Sequence, residues 1–114
     1  MMPENTSYYR PEELTDFPKI GEDAPELADS FFEYYSKATS EGALSKREKS
    51  LIALAVASVK QCPYCIDAYT NTCLSLGLTE KEMMEAIHVG AAMSAGIVLA
   101  HSTQMRRIAK KKRM

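Results

Sequence analysis

Two of the chain's three cysteines stand three residues apart in Lys60-Gln61-Cys62-Pro63-Tyr64-Cys65-Ile66-Asp67-Ala68-Tyr69, where one apolar segment stops and another begins. A cysteine reacts as its thiolate, and a free thiol is mostly protonated at neutral pH. Pro63 suits the first position of a helix because it lacks the amide hydrogen that would go unpaired there. Cys62 is therefore expected at the N-cap of a helix running to about residue 76 and stopped by Gly77. The free amides and dipole at that end stabilise a sulfur anion. Both sulfurs then lie on one face of the first turn, close enough to form a disulfide, so that one attacks a peroxide or disulfide and the other resolves the product. The same spacing is half of a zinc site. A closed zinc site needs four ligands, and Cys73, His88 and His101 supply neither a second Cys-x-x-Cys nor a His-x-His spacing.

Proton transfer requires a further group near the sulfurs. Tyr69, four residues after Cys65, stacks one turn away on the same helix face. It can donate a hydrogen bond but is a poor base, with an unperturbed pKa of about 10. Tyr64 is expected to point elsewhere. His88 lies on a segment of small residues with room for a substrate, and we take it with Tyr69 as a candidate orienting group; His101 is a weaker one. Cys73 reads as core.

These residues must be positioned by helices, because no segment alternates with period two long enough for a strand. Residues 1–22 read as an N-terminal arm broken by Pro3, Pro11, Pro18 and Gly21, with one helical turn at Pro11-Glu12-Glu13-Leu14, and residues 23–114 as a single helical domain. An Asp23–Glu26 capping pair opens the first long helix, and Gly42 ends it. Its stripe of Leu27, Phe31, Tyr34, Tyr35 and Ala38 reads as core rather than as a pocket wall. Ser45-Lys46-Arg47-Glu48 is a capping box for a helix over residues 46–60. That helix is apolar almost all round, so it belongs at the bundle centre or at a subunit interface. Thr79-Glu80-Lys81-Glu82 opens another, which Gly96 is expected to break or kink before a last helix enters the basic tail. The fold class is all-α, a bundle of five or six helices.

At 114 residues, with 46% apolar and 25% charged residues, the chain has the composition of a soluble single domain. The longest apolar run, residues 51–59, is too short to span a bilayer, and the first seven residues do not form a secretion signal. A cytoplasmic, reducing location without a membrane role is the expectation, and there a Cys-x-x-Cys pair reads as redox-active or metal-binding. Net charge is −1, but residues 1–41 hold ten acids and three bases, and residues 42–114 five acids and eleven bases. The basic tail complements the negative end of a helix dipole, and no aromatic residues interleave with it to suggest nucleic acid.

Three stretches together, Glu48-Lys49-Ser50-Leu51-Ile52-Ala53-Leu54-Ala55-Val56-Ala57, the Cys62 to Tyr69 run, and Glu85-Ala86-Ile87-His88-Val89-Gly90-Ala91-Ala92, resemble the carboxymuconolactone decarboxylase and alkylhydroperoxidase D (AhpD)-like superfamily over residues 25–108. Within it the chain looks most like peroxidase-like proteins associated with arsenosugar biosynthesis. The resemblance implies an AhpD-like helical fold, a homo-oligomer (trimer or hexamer), and thiol-dependent reduction of a small-molecule peroxide with electrons from a dithiol protein reductant and no cofactor. The redox cysteines carry over onto Cys62 and Cys65. The family's relay histidine falls on Tyr69 and its glutamate on Ser50, with Glu48 on another face of the helix. The decarboxylase branch lacks the paired cysteines, which speaks against decarboxylation. A different reading is a binding module whose vicinal thiols hold a soft ion such as arsenite or zinc.

Overall fold

Reciprocal capping boxes decide where two of the helices of this chain begin. The computed structural model describes residues 8–114, so the first seven residues of the expected arm lie outside it. A 3-10 helix, Pro11–Lys19, is followed by α1 (Pro25–Thr39), α2 (Lys46–Val59), α3 (Pro63–Ser75) and α4 (Glu80–Arg113), with no strand among the described residues. The all-helical class holds, with five helices.

The Ser45 box forms as expected: Ser45 Oγ accepts the Glu48 amide at 3.0 Å, and Glu48 Oε1 accepts the Ser45 amide at 2.8 Å. The Thr79–Glu82 box opens α4 in the same way. Each is worth about 1 kcal/mol of helix stability. The Asp23–Glu26 box does not form. Pro25 occupies the first helical position, so Ala24 becomes the N-cap and no side chain caps the end. At its other end α1 stops at Thr39, with Ser40 as C-cap, ahead of Gly42.

Gly96 does not break α4, which runs unbroken for 34 residues. A glycine costs only about 1 kcal/mol in a helix interior, too little to interrupt a long run of good helix formers. As one element, α4 is long and apolar enough to cross a membrane by length and composition, with mean hydropathy 1.5 over its most apolar window.

α2 takes the centre, packing on both α3 and α4. Leu54, Cys73, Leu78 and Met83 form the buried cluster, with Leu51, Tyr69 and Ile87 against it. Close approach of α4 to α2 depends on Gly90, where a Cβ would fall 2.9 Å from Val59 Cγ2 and 3.4 Å from the Ala55 carbonyl oxygen. The apolar stripe of α1 is not core: Leu27 and Tyr34 are exposed, and α1 buries no residue. Much of the apolar surface of α2 and α4 is also uncovered, including Ile52, Val56, Met93, Ile97 and Leu99.

Candidate functional site

The backbone that delivers the two cysteines is a Schellman turn. The Cys62 amide bonds the Ala57 carbonyl at 3.0 Å and the Gln61 amide bonds the Ser58 carbonyl at 3.2 Å, closing α2. Gln61 takes the left-handed conformation, φ 56°, that such a turn requires and that glycine usually fills. The same pair of bonds closes α3 at Gly77, φ 77°, with the glycine in place. Cys62 is thus the residue that seals α2 and, with extended dihedrals, the N-cap of α3, with Pro63 following at the first helical position.

That position polarises the pair. Cys62 Sγ accepts the backbone N–H of Cys65 at 3.4 Å. Its pKa is lowered below the ordinary thiol value, chiefly by a hydrogen bond from the Cys65 side chain and further by the Cys65 and Tyr64 amides. Cys65 is pushed the other way, to about 11, first by burial and then by its bond to, and the charge of, Cys62. Cys62 is thus the more acidic thiol of the pair and Cys65, bonded to it, the less acidic. No disulfide joins them, and Cys73 is fully buried with its pKa raised by burial.

Cys65, not Cys62, lines a cavity of about 560 Å³ between the 3-10 helix, α1 and α3. Tyr69 lines it too, and its hydroxyl is hydrogen-bonded to that of Tyr35. Burial and the Tyr35 bond raise the Tyr69 pKa well above 10, so this phenol is a hydrogen-bond donor and not a base. Tyr64 does not point elsewhere: it joins the cavity wall, because the arm folds back over α3. The Tyr9 and Tyr64 rings meet edge to face, centroids 4.8 Å apart, and the Tyr9 hydroxyl donates to the Asp67 carboxylate. Phe31 and Tyr35 of α1 complete the aromatic wall rather than a core.

The sequence candidates therefore divide. Cys62, Cys65 and Tyr69 come together. His88 is exposed on α4 and does not line the cavity, and His101 is exposed with Nδ1 at 2.8 Å from the Ile97 carbonyl oxygen. Glu48 serves in its capping box, and Ser50 is buried on α2. Among the described residues, no group of three or more His, Cys, Asp or Glu is arranged to hold a metal. Tyr35 and the arm residues were missed as site residues. Tyr35 lies 34 positions from its partner Tyr69, and the signal in the sequence was an aromatic stripe that reads as core rather than as a pocket wall.

Residues 25–105 match the family model of the carboxymuconolactone decarboxylase family. A Paracoccus denitrificans protein named "Uncharacterized protein 4 in cox locus" is 43% identical over 78 residues, which is 68% of this chain and 70% of that one. Two crystal structures are similar in fold. One, of a protein from Methanobacterium thermoautotrophicum, has a TM-score of 0.70 at 34% identity and covers 74% of this chain and 94% of its own. The other, the apo form of a carboxymuconolactone decarboxylase family protein from Legionella pneumophila, has a TM-score of 0.66 at 35% identity and covers 81% and 82%.

Proposed function

This chain belongs to the carboxymuconolactone decarboxylase family, and from that premise we propose that it is a thiol oxidoreductase that reduces a peroxide through a Cys62/Cys65 dithiol–disulfide cycle. The observation that carries the reading is the split of the pair: a thiol made more acidic at a helix N-terminus, bonded to a second thiol that opens into a cavity. Cys65 is the sulfur that meets substrate. As it attacks one oxygen of the peroxide, its proton passes to the Cys62 thiolate, and the O–O bond breaks. The departing alkoxide takes a proton from the Tyr69 hydroxyl and leaves as alcohol, and solvent restores the phenol. Cys62 then attacks the Cys65 sulfenic acid, closing the disulfide with loss of water. Two electrons have moved from the dithiol to the peroxide, and a dithiol protein reductant returns them by exchange.

Mass spectrometry of trypsin digests without reductant, after one equivalent of an organic hydroperoxide, tests the cycle. A peptide carrying a Cys62–Cys65 bridge, one alcohol formed per bridge and recovery of both thiols on reduction are expected. Two free thiols in folded protein after peroxide treatment would overturn the proposal.

The oligomer belongs to the same proposal. The radius of gyration is 19.3 Å, against about 13 Å for a compact domain of about 100 residues. The surface of 9381 Å² exceeds by about 3,000 Å² what a compact chain of this mass exposes. The uncovered apolar residues of α2 and α4 form surface that one chain leaves exposed, and further copies of the chain cover them. Light scattering at micromolar concentration is expected to give a trimer or hexamer; a monomer that stays folded would refute this.

The second reading, a soft-ion binding module, is favoured by one feature, a thiol pair within hydrogen-bond reach and no further ligand beside it. That set suits arsenite better than four-coordinate zinc. Native mass spectrometry separates the readings: one arsenic retained per chain, with no peroxide consumed, supports binding.

A further inference from the structure

The cavity beside Cys65 has a charge character that reduction of a simple peroxide does not need. Five of its wall residues are aromatic: Phe17, Phe31, Tyr35, Tyr64 and Tyr69. Among the described residues the charged ones on it are Glu13 and Asp16, both acidic, and no Lys, Arg or His lines it. Arg10 stands 3.9 Å from Glu13 in an exposed pair that offsets that charge in part, while Asp16 has no ion-pair partner among the described residues. We propose that this cavity selects substrates whose apolar body carries a fixed positive charge, of the trialkylammonium or sulfonium type, and rejects carboxylate-bearing ones. The substrate part of the proposal rests on the thiol oxidoreductase reading; the binding part does not.

An aromatic face is the negative side of its quadrupole, and a cation desolvated against it is attracted. The rings here pack edge to face, Phe17 on Phe31 at 6.4 Å and 87°, and Phe17 on Tyr35 at 6.2 Å and 64°. Trialkylated cations are weakly hydrated, so they lose little on entering an apolar space of about 560 Å³, and the two rim carboxylates add attraction. A carboxylate ligand would meet rings, acids and no cation, and burying it unpaired is costly. Tyr64 and Tyr69 stay neutral at physiological pH, since burial raises both. They therefore present hydroxyl and ring without a phenolate charge.

Titration of the reduced protein with benzyltrimethylammonium, followed by tyrosine fluorescence, tests binding without any redox step. Binding about tenfold tighter than that of the neutral isostere neopentylbenzene is expected, with none measurable for phenylacetate. Exchanging both rim acids (Glu13→Gln with Asp16→Asn) should cut the preference to roughly threefold, the share the rings hold, because exposed charges contribute little. Both positions are exposed, and Asp16→Asn alone serves should the pair of changes unfold the arm. Rates of dithiol oxidation by cumene hydroperoxide and its para-trimethylammonio and para-carboxylate derivatives should follow the same order. Equal binding of the cation and its isostere, or tighter binding of phenylacetate, overturns the selectivity while leaving the redox cycle intact. The expected binding order with no oxidation by any peroxide supports the selectivity and overturns the redox cycle instead.

Discussion

Replacing Cys65 by alanine removes the side-chain hydrogen bond that is the largest cause of the lowered Cys62 pKa. A hydrogen bond to a charged group is worth about 1.5–3 kcal/mol, and at a half-exposed sulfur the lower end applies, about tenfold in the thiolate equilibrium. Below both pKa values the variant then holds about one tenth of the wild-type thiolate. Its thiolate is more basic and, with a Brønsted slope near 0.5, about threefold more nucleophilic. The net expectation is a Cys62 that reacts with a small disulfide such as 4,4′-dithiodipyridine about threefold more slowly at low pH and about threefold faster once fully ionised. The two rate profiles must cross. Cys73, fully buried, contributes nothing to the folded-state rate, and an unchanged melting temperature shows that the site has not simply opened. Parallel profiles without a crossing, or a faster variant at low pH, would mean that Cys65 does not stabilise the Cys62 thiolate. The converse variant, Cys62→Ala, should leave Cys65 above the ordinary thiol value, because burial, its largest cause, remains.

Tyr35→Phe deprives the part-buried Tyr69 hydroxyl of its partner; a stability loss of about 1 kcal/mol by urea unfolding and slower peroxide-driven disulfide formation are expected. Gln61→Gly places glycine at the left-handed position and should stabilise by about 0.5–1 kcal/mol, seen as a raised melting temperature; a lowered one would deny the strain. His88→Ala should leave the oxidation rate of the dithiol unchanged, since His88 is exposed and outside the cavity; a slower rate would place it at the site. The capping glutamates, Glu48 and Glu82, have pKa values lowered by bonds to Ser45 and Thr79. Their contribution is complete above the unfolded carboxyl pKa and lost as pH falls through the folded one, so Ser45→Ala with Thr79→Ala should flatten the acid limb of the stability profile.

Local chemistry was readable from the chain and distant contact was not. Ser45, Thr79, Pro63 and Gly77 act within one turn of themselves, and each does in the structure what its type and spacing predict. Asp23 failed as a cap because the neighbouring Pro25 took the first helical position, a competition one residue wide. Gly96 failed as a break because helix cooperativity outweighs one glycine. The cavity is of another kind. Its wall joins residues of the 3-10 helix, α1 and α3, and nothing in the spacing of Phe17, Phe31 and Tyr64 announces that they meet.

In the proposed cycle, Tyr69, at the position where the resemblance puts the family's relay histidine, has a consequence that reaches through the whole site. A histidine there could accept a proton near neutral pH. Tyr69, with its pKa raised by burial and by Tyr35, can only donate. In the proposed cycle the proton that Cys65 loses passes to the Cys62 sulfur, whose pKa is lowered by the bond along which that proton would travel. The site keeps the acid of the relay and moves the base onto sulfur. Peroxide-driven disulfide formation should accordingly rise with pH as Cys62 ionises, with one pKa below the ordinary thiol value and no step in the histidine range. A step near pH 6.5 that disappears in His88→Ala would show a base outside the dithiol and refute this division of labour.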